Sequence, residues 1–198
     1  MSVRGSFAVL IGMLLLFTSV SVLAGSCDTA LLIVDMQANG LGAERVVNMF
    51  SQPILDSVEI IVERVRATEI PIIYTSHIST SMVDPETIPF PASITPRDAD
   101  RILVRTDHPP MNDALIALME EEGITRLIIC GLYSTHCVDI AVCNASGLGY
   151  DVIVIKEGHG DFPENLTQAN ARQYQWTRLP NVAVVRSAHL DLDSLETP

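Results

Sequence analysis

The chain has 198 residues, 48% of them hydrophobic, and a formal net charge of -12. That length suits one domain with a full core. With 12 Lys and Arg against 24 Asp and Glu and no basic run, the sequence excludes non-specific nucleic-acid binding, which needs clustered cations against phosphate.

The first 24 residues differ from the rest. Arg4 supplies positive charge, Phe7 to Phe17 is an uncharged apolar run, and Val22-Leu23-Ala24 supplies residues a signal peptidase reads. This is the layout of a secretory signal peptide. Cleavage is expected near Ala24, leaving residues 25–198 as a secreted or periplasmic domain. An uncleaved anchor is the alternative, although the run is short against the roughly 20 residues of a span. Lipid attachment at Cys27 is a third reading, with Ala24-Gly25-Ser26 before it in place of a bulky aliphatic residue at the first position. Membrane contact is expected only through this segment.

The remaining sequence alternates apolar runs with helical patterns. Thr29 to Val34 reads as a strand ending at Asp35. Pro53 to Thr68 carries Ile54, Val58, Ile61, Val62 and Val65 at helical spacing. Pro71 to Thr75 and Arg101 to Val104 read as the second and third strands. Between them His77 to Asp100, with four prolines, reads as a loop or lid. Asn112 to Glu122 is a helix stopped by Gly123. Thr125 to Cys130 is the fourth strand, and His136 to Leu148 a helix. Asp151 to Ile155 is the fifth strand, Leu166 to Thr177 a helix, and Val182 to Val185 the sixth strand. The acidic tail after Leu190 is expected to fray.

Strands that are apolar throughout are buried on both faces, and with intervening helices they imply a parallel sheet. The expected fold is α/β: a three-layer, doubly wound, Rossmann-like sheet of about six mainly parallel strands. Ligands in such sheets bind beyond the carboxyl ends of the strands. Three reactive side chains fall there: Asp35 after the first strand, Arg105 after the third, and Cys137 after the fourth and the turn Gly131-Leu-Tyr-Ser-Thr-His136. A helix N-terminus and a nearby cation lower a thiol's pKa, and the thiolate is the nucleophile. Asp35 can take the thiol proton and later activate water. Arg105 can hold the acid and an anionic substrate in place. The bland readings are a structural cysteine, a turn-capping Asp and a simply paired Arg. Of the other three cysteines, Cys130 and Cys143 read as small buried hydrophobes rather than disulfide partners.

The run Leu31-Leu-Ile-Val-Asp35-Met-Gln37 resembles the opening strand of the isochorismatase-like cysteine hydrolases. Cys130-Gly-Leu-Tyr-Ser-Thr-His-Cys137-Val138, with Ala141 and Gly149-Tyr150-Asp151-Val152, resembles their nucleophile region. The resemblance extends over residues 28 to 188. It implies an Asp–Lys–Cys triad and, in the amidase members, a covalent acyl-enzyme. It also implies a non-proline cis peptide at Leu132–Tyr133, oxyanion donors at the backbone N–H groups of Tyr133 and Cys137, and a homo-dimer or tetramer. The chain departs from the pattern in two places. Arg105 stands where the family has lysine, with His108-Pro-Pro110 after it. His77 and Ser79 stand where nicotinamidases carry Asp-x-His, so no metal and no cofactor is expected.

His77, His108, His136 and His159 are candidate rim residues, and Glu157 a further candidate contact; His136 is expected to point away from the site. The expected activity is that of an exported cysteine hydrolase acting on a C–N amide-type bond of a small molecule through a Cys137 thioester. The alternatives are isochorismatase-type vinyl-ether hydrolysis, which needs no thiol, and a binding protein on the same fold that lost catalysis with its lysine.

Overall fold

The structure is a computed structural model, and it describes residues 27–37, 52–77, 90–106 and 109–195. The N-terminal segment, Ser79 and His108 lie outside these residues. Among the described residues six strands and four α-helices follow one another: β1 (Thr29–Val34), α1 (Gln52–Val65), β2 (Ile72–His77), β3 (Arg101–Arg105), α2 (Asp113–Glu122), β4 (Arg126–Leu132), α3 (Cys137–Gly147), β5 (Asp151–Gly160), α4 (Leu166–Trp176) and β6 (Val182–Val185). Every strand pairing is parallel, in the order β3-β2-β1-β4-β5-β6. The chain therefore builds outward from β1 to one edge, then restarts beside β1 with β4 and builds to the other. The reversal leaves a crevice at the carboxyl ends of β1 and β4, where ligands of such sheets bind.

Side chains of β1 alternate between two cores, as the period of two in a strand dictates. Leu31 and Ile33 pack with Val58, Ile61 and Val62 of α1 and with Tyr74 and Ile128. Ala30, Leu32 and Val34 pack with Leu115 and Met119 of α2, with Val138, Ala141 and Val142 of α3, and with Trp176 of α4. Each Val, Leu, Ile or Met side chain so buried stabilises by roughly 1.5–3 kcal/mol. The α2 helix has both its ends specified. Asn112 Oδ1 accepts the Leu115 N–H at 3.1 Å, and Gly123 closes the helix in the left-handed conformation at φ 71°. Such an N-cap contributes about 1 kcal/mol.

The structure corrects four expectations. β5 does not stop at Ile155 but runs to Gly160, because the ladder to β4 shifts register between Ile129 and Gly131 and then resumes with His159 and Gly160. The tail does not fray directly after Leu190. Leu190, Leu192 and Leu195 are buried in the α1-side core, Arg64 donates to the Ser187 and Leu190 carbonyls, and Cys27 Sγ contacts the Leu195 carbonyl oxygen at 3.4 Å. Cys130 is buried, but Cys143 is exposed, because its face of α3 turns to solvent beside Asp139. The outer strand β3 is also more exposed than its apolar letters suggest, with Ile102 half-exposed at the sheet edge.

Candidate active site

Asp35, Arg105 and Cys137 come together at the crevice. Asp35 leaves β1 in the left-handed region at φ 51°, which few residues other than glycine adopt and which Asp tolerates better than most. Its N–H donates to the Thr75 carbonyl at 3.1 Å, and Thr75 Oγ1 donates back to Asp35 Oδ1 at 3.1 Å. Arg105 ends β3, two strands away, and its side chain reaches over the end of β2. Both Arg105 and the Asp35 carboxyl are almost fully buried, and they form an ion pair through Arg105 Nη2 and Asp35 Oδ2. The same Nη2 donates to Cys137 Sγ at 3.4 Å. One nitrogen thus bridges the acid and the sulfur.

Close approach of β1 and β4 makes this possible. Gly131 has φ 124°, and a Cβ there would lie 2.1 Å from the Val34 carbonyl oxygen. No other residue fits without moving the backbone that delivers Asp35. The Leu132–Tyr133 peptide that follows is cis, where the family resemblance places it. Beyond it the chain curls so that the His136 and Val138 N–H groups both donate to the Tyr133 carbonyl. Cys137 then opens α3, whose leading N–H groups have no partner within the helix.

The thiol does not have the depressed pKa expected for a cysteine at a helix start. Burial pushes it up, the Asp35 charge and its hydrogen bond with the sulfur add to that, and Arg105 only partly opposes them, so the pKa lies at about 11. Cys137 therefore rests as a thiol at neutral pH, already hydrogen-bonded to the carboxylate that can take its proton. The physics is that of a neutral nucleophile beside a base rather than a preformed thiolate.

The histidines separate. His77 ends β2 in register with Arg105, at the rim, and its carbonyl accepts from Gln37 Nε2 at 2.8 Å. His136 is exposed and turned to Thr135 Oγ1. His159 is not a pocket wall. It is buried behind the turn, with Nδ1 2.8 Å from Ser134 Oγ, Nε2 2.9 Å from Gln173 Nε2, and the Trp176 ring edge-on at 5.0 Å. The Gln173 amide nitrogen, which also donates to the Lys156 carbonyl, can only donate, so His159 Nε2 accepts and Nδ1 carries the proton toward Ser134. Burial drives the His159 pKa down to about 4, which keeps the ring neutral. Glu157 also turns away from the site, accepting the Ser187 N–H and hydroxyl at 2.9 and 2.6 Å. Among the described residues no three His, Cys, Asp or Glu side chains are grouped to hold a metal.

Sequence reasoning missed Thr75, Ser134, Thr135 and Asp161. Asp161 follows the true end of β5, as Asp35 follows β1. The strand-end rule that found Asp35 finds it too once β5 is extended to Gly160.

The comparisons agree with this fold. A family model described as isochorismatase domain matches residues 29–189. The chain is 24% identical over 138 residues to the uncharacterized isochorismatase family protein YddQ of Bacillus subtilis (strain 168), covering 65% of this chain and 76% of YddQ. An isochorismatase-like hydrolase from Alkaliphilus metalliredigens superposes with a TM-score of 0.69 at 18% identity, covering 81% of this chain and 87% of that one. A cysteine hydrolase from Pseudomonas syringae pv. phaseolicola 1448A gives a TM-score of 0.65 at 18% identity, covering 82% and 90%. With this fold, and with the acid, cation and thiol at its crevice, the chain belongs to the isochorismatase family of hydrolases.

Proposed function

We propose that the protein is an exported cysteine hydrolase that cleaves a C–N amide-type bond of a small molecule through a Cys137 thioester. The observation that carries this reading is the single Arg105 nitrogen bridging Asp35 and Cys137. A lysine ammonium would make both contacts from one atom, so arginine supplies the same charge at the same place. Arginine does not exchange protons at accessible pH, which assigns the whole proton relay to Asp35.

In this mechanism Cys137 Sγ attacks the substrate carbonyl while Asp35 takes the thiol proton. The backbone N–H groups of Tyr133 and Cys137 receive the developing oxyanion. The protonated Asp35 gives its proton to the departing nitrogen as the C–N bond breaks. Asp35 then draws a proton from water, which attacks the thioester and frees the acid product. The sulfur recovers its proton from Asp35. Arg105 holds acid and sulfur together throughout and offsets the charge that builds on them. The export half of the proposal rests on Arg4, the Phe7–Phe17 run and Ala24. The homo-oligomeric state is carried over from the family alone.

The test is a panel of small amides, ureido compounds and isochorismate, run with the wild type and with Cys137→Ala. The proposal expects turnover of an amide or ureido compound that Cys137→Ala abolishes. Turnover of isochorismate that survives Cys137→Ala would replace it with vinyl-ether hydrolysis.

A further inference from the structure

We propose that Asp161 is a positioning residue for the nucleophile: by clamping Thr135 it fixes the turn that sets Cys137 between Asp35 and Arg105. The proposal rests on the reading of Cys137 as nucleophile and Asp35 as its base. Nothing in the proposed chemistry uses Asp161 directly.

The Asp161 carboxylate lies immediately beyond β5 and accepts on both oxygens. Oδ2 takes the Thr135 N–H at 2.8 Å and the Thr135 hydroxyl at 2.7 Å. Oδ1 takes the Phe162 N–H at 2.9 Å and the Asn165 side-chain amide at 2.8 Å. One carboxylate thus ties the nucleophile turn to the segment between β5 and α4. Burial alone would raise its pKa, but the hydrogen bonds from Thr135, Asn165 and Phe162 outweigh burial and hold it below the usual carboxylate range.

Thr135 stands two residues before Cys137 and two after Tyr133. Its hydroxyl has one proton, which goes to Asp161, so the His136 contact at 2.9 Å is an Nδ1–H donated to Thr135 Oγ1. A chain His136 to Thr135 to Asp161 therefore runs along the outer side of the turn. On the inner side, Ser134 N–H donates to the Gly160 carbonyl at 2.8 Å and Ser134 Oγ meets His159. Consecutive residues 134 and 135 are held by consecutive residues 159, 160 and 161. Tyr133 stacks on Phe162, the residue after Asp161, with ring centroids 4.6 Å apart. Charge-assisted hydrogen bonds are the strong members of such a set, and Asp161 supplies two of them to the turn.

The titratable and charged groups facing Cys137 are Asp35 beyond β1, Arg105 on β3 and Tyr133 in the turn. Releasing the turn separates Cys137 from Asp35 and lets water reach the sulfur. Both changes move the thiol toward an ordinary cysteine, with a pKa near about 8.5. A loss of general stability that leaves the site assembled does not have this effect.

The experiment measures the rate of Cys137 alkylation by iodoacetamide against pH, read on the Cys137 peptide by mass spectrometry, in the full-length protein. The wild type is expected to show a midpoint near 11. Folded Asp161→Ala is expected to shift it down by at least about one unit toward the ordinary thiol value. A folded Asp161→Ala protein with the wild-type midpoint would overturn the proposal. If Asp161→Ala does not fold, Thr135→Val keeps the Thr135 N–H bond to Asp161, loses the hydroxyl's bonds to Asp161 and to the exposed His136, and reads the same link with a smaller downward shift; no shift there would overturn it equally. A wild-type midpoint near 8.5 would instead remove the Asp35–Cys137 coupling itself, and the positioning role with it.

Discussion

Replacing Arg105 with methionine removes the cation from the Asp35 pair and keeps most of the side chain's length. The pair is buried, with side-chain exposures of 1% for Arg105 and 8% for Asp35. Breaking a buried pair from one side costs about 3–5 kcal/mol, chiefly because the remaining charge is stranded. Thr75 still donates to Asp35 Oδ1, which places the expectation at the lower end, about 3 kcal/mol. For a chain of this size that corresponds to a fall in Tm of roughly 6–12 °C. Urea unfolding followed by circular dichroism measures it, and Asp35→Asn with the double variant Asp35→Asn/Arg105→Met completes a cycle. The two losses should fall short of additive by at least about 1 kcal/mol, since both variants break one interaction. An Arg105→Met protein within about 1 kcal/mol of wild type, or strictly additive losses, would show that the pair is not the anchor described here. Arg105→Lys should fare differently. Because one nitrogen makes both contacts, lysine is expected to hold the site with a loss of about 1.5 kcal/mol or less.

Three further outcomes follow from the same structure. His159 has its folded pKa pushed down to about 4 against an ordinary 6.5, so the unfolded chain binds the extra proton first. The stability it contributes is present above about 6.5 and is lost as pH falls toward 4, on the order of 3 kcal/mol; His159→Gln should flatten that limb of a pH–stability curve. Cys137 works in the opposite sense. Its folded pKa is raised, so its contribution is present below about 8.5 and lost as pH rises through about 11, and Cys137→Ala should reduce the alkaline loss in pH-dependent unfolding. Gly131→Ala puts a Cβ 2.1 Å from the Val34 carbonyl at a φ of 124°, and should lower unfolding free energy by about 3 kcal/mol or more in denaturant titrations.

Much of the fold is legible in the letters because the inner strands are buried on both faces. The run Thr29–Val34, buried at every position, is placed to the residue by its apolar character, and so is Val182–Val185, although it forms the partly exposed edge strand β6. The far end of β5 is not, because Lys156, Glu157, Gly158 and His159 carry no apolar signal; pairing of His159 and Gly160 with Gly131 and Leu132 carries the strand on. The tail failed for a similar reason. Its leucines are spaced among acids and serine, and only the surface left open by α1 and β5 decides that they bury. The trio at the crevice is legible because strand ends and a family motif mark it. Its electrostatics are not. A helix N-terminus lowers a thiol's pKa, but the burial of Cys137 and the Asp35 charge beside it outweigh that, and both are properties of packing. His159 shows the same limit, since a strand-end histidine reads as a pocket residue until Ser134, Gln173 and Trp176 are seen to enclose it.

In the proposed mechanism Cys137 forms a covalent acyl intermediate under Asp35 base catalysis. Acid-quenching the wild type during turnover of an amide or ureido substrate and weighing the Cys137 peptide tests it most directly. A mass increase equal to the substrate's acyl part is expected on that peptide, absent in Cys137→Ser and diminished in Asp35→Asn. Undiminished turnover by Cys137→Ala, with no adduct on the wild-type peptide, would contradict it.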